Sequence, residues 1–92
     1  MVPAQTNGTV PAVSEVSAAK LLALLRHPAE AAAAEVVSQF QALHRLVESL
    51  PLTSAEFCFA HNWLTSAQDH WQAGDANTAN YQVSMVVRKL RP

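Results

Sequence analysis

The stretch PAEAAAAEVVSQFQALHRLVESLPLTSAE, residues 28–56, decides the fold. Within it Ala29, Ala33, Val36, Phe40, Leu43, Val47 and Leu50 recur at spacings of 4, 3, 4, 3, 4 and 3. With about 3.6 residues per turn, that alternation holds one apolar stripe on one helical face for about six turns, and it cannot be read as the two-residue repeat of a strand. Pro28 suits the first position of a helix and drives His27 out of the α region, so the helix is expected to begin at Pro28. Pro51 stops it at the other end.

Beyond Pro51 the sequence supplies its own start signal. Thr53, Ser54, Ala55 and Glu56 have the form of a capping box, in which the Thr53 hydroxyl and the Glu56 carboxylate satisfy each other's backbone donors. A third helix is expected over about residues 54–73, followed by Gly74 in the left-handed position and Asp75 as the next N-cap. The fourth helix carries Ala76, Ala79, Val83, Val86 and Leu90 at spacings of 3, 4, 3 and 4, and ends in Arg88, Lys89 and Arg91, which suit the negative end of a helix. On the N-terminal side, Ser14 is a suitable N-cap for a helix over about 15–26, whose Leu21, Leu22, Leu24 and Leu25 span an arc of roughly 160°. Residues 1–13 mix Pro, Gly, Thr, Asn and Gln without a period, as a flexible arm would.

The expected architecture is therefore all-α: a small antiparallel helical bundle of three core helices plus a shorter N-terminal helix, forming a single domain over 14–92. The N-terminal helix has two options, to pack on the bundle or to offer its leucines to another chain.

Composition narrows the function. A chain of 92 residues has no room for separate cofactor and substrate domains, and its Ala-dominated hydrophobic half with only two Gly favours helices. Net charge is −1, distributed as +1 over residues 1–27, −2 over 28–52, −3 over 53–75 and +3 over 76–92. Broad binding to phosphate backbones or anionic lipid is disfavoured, because it needs several clustered cations. The single Cys58 excludes an internal disulfide. The N-terminus has neither a basic nor an apolar signal region, and LLALL is far short of the roughly 18–20 residues that span a bilayer, so the expectation is a soluble, cytoplasmic protein with no membrane role.

One stretch, HNWLTSAQDHWQAGD (residues 61–75), concentrates the chemically interesting side chains. On a wheel of about 100° per residue, Phe59, His70, Trp63, Ala67, Ala60, Trp71 and Leu64 share one half, and Cys58, His61, Asn62, Thr65, Ser66, Asp69 and Gln72 share the other. His61 and Asp69 lie about 12 Å apart along the axis, too far for a catalytic dyad. Cys58 and His61 could touch, but a nucleophile also needs an orienting third group and a pocket. Zinc ligands come in paired short spacings, and only Cys58-x2-His61 is present. His70, between Phe59 and Trp63, reads first as a half-buried imidazole packed on Trp63 and second as a pH-sensitive contact at an interface. His44 has a weaker version of the same case. No phosphate-binding loop, nucleophile elbow or helical carboxylate pair occurs.

Through Trp63, Ala67, the turn Gly74, Ala79, Val83 and Val86, residues 60–92 partially resemble a single tetratricopeptide-type helical hairpin. The pattern departs at Ser66, His70 and Arg91, and no second copy occurs upstream. The likeness implies peptide or protein binding.

The resulting expectation is a non-enzymatic protein–protein interaction or assembly module, an adaptor-like bundle presenting an apolar and aromatic face to a protein partner or to a second copy. Leu21, Leu24, Leu25, Phe59, Trp63 and His70 are the residues expected to form that face; no cofactor, metal or catalytic residue is expected. The alternative is a small nucleic-acid-associated regulator using the basic C-terminal helix, with Arg88, Lys89 and Arg91 as its cations. An enzyme built on Cys58 and His61 ranks last.

Overall fold

The computed structural model describes residues 13–91. Four helices follow one another, α1 (Glu15–Arg26), α2 (Ala33–Ser49), α3 (Ser54–Gln72) and α4 (Ala76–Lys89), with no strand among the described residues. The bundle is all-α, and the N-terminal helix is its shortest member at 12 residues.

Local chemistry sets most of the helix ends. The Ser14 hydroxyl accepts from the Ser17 amide at 3.3 Å to open α1. The capping box of α3 is complete: the Glu56 amide donates to Thr53 Oγ1 at 3.1 Å and the Thr53 amide to Glu56 Oε1 at 2.9 Å. A cap of this kind is worth about 1 kcal/mol. At the other end of α3, Gly74 has φ +88°, which only glycine adopts without strain. Its amide donates to the Trp71 carbonyl at 3.0 Å and the Asp75 amide to the His70 carbonyl at 2.8 Å, the paired bonds of a Schellman turn. Asp75 then accepts from the Thr78 amide at 3.1 Å and starts α4.

The start of α2 differs from expectation. The helix begins at Ala33 rather than at Pro28, because residues 27–31 fold into a turn in which the Glu30 amide donates to the His27 carbonyl at 3.0 Å. Ala32 occupies the N-cap with no side-chain bond. An extra turn of helix there would have only alanine methyls to bury, too little to hold it on the bundle while the chain must also reverse direction. Ala29 and Ala33 are accordingly exposed, whereas Val36, Phe40, Leu43 and Val47 of the same stripe are buried.

The four stripes meet in one core. Leu21, Leu22 and Leu25 of α1, the α2 residues just named, Ala60, Leu64 and Ala67 of α3, and Ala79, Val83 and Val86 of α4 form a single buried cluster. No polar or charged side chain is buried among the described residues. Helices α3 and α4 are the closest pair, α1 lies against α4, and α2 bridges α3 and α1, so each helix has two neighbours. Asn80 Nδ2 on α4 donates to the Leu22 carbonyl of α1 at 3.3 Å, and the Arg91 guanidinium meets Glu15 Oε1 at 3.0 Å, tying the end of the chain to its first helix.

Two expectations for the N-terminal region change with this packing. Leu21 and Leu25 are each only 1% exposed within the one chain, so α1 is a wall of the bundle and these side chains are not available to a partner. Val13, assigned to the flexible arm, is 0% exposed and belongs to the core cluster, one residue before the N-cap, where a hydrophobic staple sits. The rest of that arm, residues 1–12, lies outside the described residues, as does Pro92.

Candidate functional site: an aromatic strip across helices three and four

The two halves of α3 separate as the wheel requires. Ala60, Leu64 and Ala67 are buried, Phe59, Trp63, His70 and Trp71 are half-buried, and Cys58, His61, Asn62, Thr65, Asp69 and Gln72 are exposed; Ser66 alone departs from the polar half and is half-buried against Gln82 of α4. The two Trp side chains then take different roles. Trp71 turns toward α2 and packs at 6.4 Å between centroids on Phe40, whose own side chain is fully buried.

Trp63 turns the other way. Phe59, one helical turn earlier, stacks on it at 5.1 Å and 30°, and Tyr81 of α4 approaches its other side at 6.5 Å and 44°. Both pairs are tilted, with centroids inside the contact range of interacting aromatic rings. The result is a continuous Phe59–Trp63–Tyr81 strip across the α3–α4 groove, with Tyr81 58% exposed. Between the same two helices Gln82 Nε2 donates to Ser66 Oγ at 3.1 Å, a bond that fixes their relative position.

Of the six residues expected at a partner face, Phe59 and Trp63 are brought together here. Leu24 is half-buried against the core, apart from the strip on α1. His70 lies on the same flank but pairs with the turn: its Nδ1 is 3.7 Å from Asp75 Oδ2. Asp75 is held below the ordinary carboxylate value, chiefly by its hydrogen bonds to Thr78 and to a smaller extent by His70. His70 thus belongs to the α3–α4 corner rather than to a stack on Trp63. Helix α1 docks on α4 and α2, so it does not cover this flank. Tyr81 is the member that sequence reasoning missed; its signal was an aromatic residue standing off the apolar stripe of an otherwise regular amphipathic helix.

A second cluster occupies the α2–α3 face. His61 stacks on Phe57 at 5.8 Å and 13°, and His44 of α2 meets His61 edge-on at 5.5 Å. Cys58 is exposed nearby in sequence. Among the described residues no group of three or more His, Cys, Asp or Glu side chains is placed to hold a metal ion. His44 is held below its ordinary value of 6.5, first by partial burial and then by the facing His61, with Glu48 acting weakly in the opposite sense. The unfolded chain therefore binds a proton at His44 more readily than the folded one. This contribution to stability is fully present above about pH 6.5 and is lost as pH falls below it. Thermal unfolding between about pH 7 and pH 5 should show the melting temperature falling more steeply in the wild type than in His44→Gln. Equal slopes in the two proteins would contradict the lowering of His44 by burial and by the facing His61.

Comparison with known protein families, curated proteins and solved structures finds no significant match. The tetratricopeptide likeness of residues 60–92 therefore remains a likeness of spacing. No helix among the described residues is long and apolar enough to cross a membrane.

Proposed function

We propose that this chain is a non-enzymatic protein–protein interaction or assembly module that engages a protein partner, or a second copy of itself, through the Phe59–Trp63–Tyr81 strip. The observation that carries the reading is that strip itself. Three aromatic side chains from two helices lie in tilted contact with one another, with Tyr81 58% exposed and Phe59 and Trp63 only half-buried beside it. Burying such a surface is favourable, and aromatic anchors on a rigid frame dominate binding energy because few rotamers are lost on association. The capping box and the Schellman turn at the two ends of α3 supply that rigidity.

Site-specific photocrosslinking tests the proposal. Tyr81→p-benzoylphenylalanine in the full chain should give discrete adducts, to a partner or to a second copy, and Trp63→Ala in the same chain should remove them. Val16, 87% exposed on α1, is the control position and should give none. Equal labelling from positions 16 and 81, or a strictly monomeric chain with no adduct at 81, would overturn it.

A further inference from the structure

The second surface is the groove between α1 and α4, of about 550 Å³. Its α1 wall is the straight ridge Glu15, Ala19, Leu22 and Arg26, and its other wall includes Val87 and Arg88 of α4 with Arg91 just beyond that helix. Leu22 and Val87 are buried and floor the groove, while Ala19 is exposed within it. Three guanidinium groups and one carboxylate line the same space, a local excess of positive charge in a chain of net charge −1.

The arginines are not used up by the fold. Arg91 is engaged by Glu15 at 3.0 Å, but Arg26 and Arg88 make no ion pair or hydrogen bond to any side chain among the described residues. Each cation stands at or just beyond the last turn of its own helix, where it offsets the helix dipole. That role accounts for their presence in each helix. It does not require Arg26, from the end of α1, and Arg88, from the end of α4, to line one groove. The sequence separates them by more than sixty positions, and only the α1–α4 packing brings them to one surface.

We infer that the α1–α4 groove docks an acidic amphipathic helix of a partner protein, whose carboxylates pair with Arg26 and Arg88 and whose small apolar side chains rest on Ala19, Leu22 and Val87. Charge complementarity selects the acidic occupant, since free guanidinium groups take carboxylates in bidentate fashion. The shape selects a helix. Two packed helices leave a furrow whose α1 wall, the 12 residues from Glu15 to Arg26, is about 16 Å long between its end residues, and a third helix laid in it reads the walls through one face. A nucleic acid fits less well, because Glu15 stands in the wall and the acidic remainder of the chain opposes a long polyanion. This site is separate from the aromatic strip, so the two surfaces would let one small bundle join two partners.

The test uses the full chain with a fluorescein-labelled synthetic helical peptide whose Ala and Leu stripe is flanked by Glu on the same face. A peptide with Gln at every Glu position and a DNA oligonucleotide serve as comparison probes. The acidic peptide should bind in a salt-dependent manner, the Gln peptide should not, and the double substitution Arg26→Gln with Arg88→Gln should weaken binding by about tenfold. Unchanged melting of that variant shows that the fold is retained. Tyr81→Ala should leave peptide binding intact, which separates this site from the aromatic strip. No binding of the acidic peptide, equal binding by the double variant, or tighter binding of DNA than of the peptide would overturn the inference.

Discussion

Phe40→Ala should remove about 3–5 kcal/mol of stability, the largest loss expected from any single truncation in this chain. Phe40 is fully buried, fills the space between α2 and α3, and is the partner against which Trp71 is tilted at 6.4 Å. Truncation loses the transfer free energy of the ring and leaves a cavity that neighbouring valines cannot fill, because Val36 and Val47 are β-branched and fixed on the same helix. A domain of this size has a total of about 5–15 kcal/mol to lose. The melting temperature should fall by more than about 12 °C, given about 4–8 °C for each kcal/mol in domains of this length. Emission from Trp71 should shift to the red as its neighbour disappears, whereas Phe40→Leu should cost a fraction as much. A melting temperature within a few degrees of wild type would show that α2 is not packed as described.

The second large effect is expected at Leu25→Ala, with a cost of about 2–5 kcal/mol measured by urea unfolding of the full chain. Leu25 decides between the two options that the leucines of α1 leave open. A helix held for an external partner would lose little stability on truncation; a wall of the core would lose a great deal. At 1% exposure Leu25 belongs to the wall, together with Leu21 and Ala18. Val16→Ala, on the solvent side of the same helix, should change stability by less than about 0.5 kcal/mol. Equal and small effects at positions 25 and 16 would mean that α1 is detached from the bundle.

The elements were legible in the sequence wherever their signals are local. Ser14, the Thr53–Glu56 box, Gly74 and Asp75 act over three to five residues, and the helices they bound begin and end where their chemistry places them. The start of α2 is not legible from spacing, because alanines at 29 and 33 continue a periodic pattern without carrying enough apolar area to enforce it. The site was half legible. Phe59 and Trp63 share a face of α3 by spacing alone. Their third member, Tyr81, lies eighteen positions after Trp63 on a different helix, where no periodicity within α3 can point. Spacing alone leaves two fates open for Leu21 and Leu25, because an apolar arc announces that it will be buried and does not say by what.

By itself, then, the sequence determined the existence and order of the helices α1 to α4, the caps of α1, α3 and α4 and most of each apolar face, since those depend on backbone hydrogen bonds and side-chain spacing within a few residues. The tertiary structure alone decided that α1 closes the bundle, that Phe59, Trp63 and Tyr81 form one strip, and that Arg26 and Arg88 line one groove. The physical reason is that these outcomes depend on which apolar faces find each other across long separations. The contacts that record the choice, Asn80 to Leu22 and Arg91 to Glu15, span 58 and 76 positions of chain.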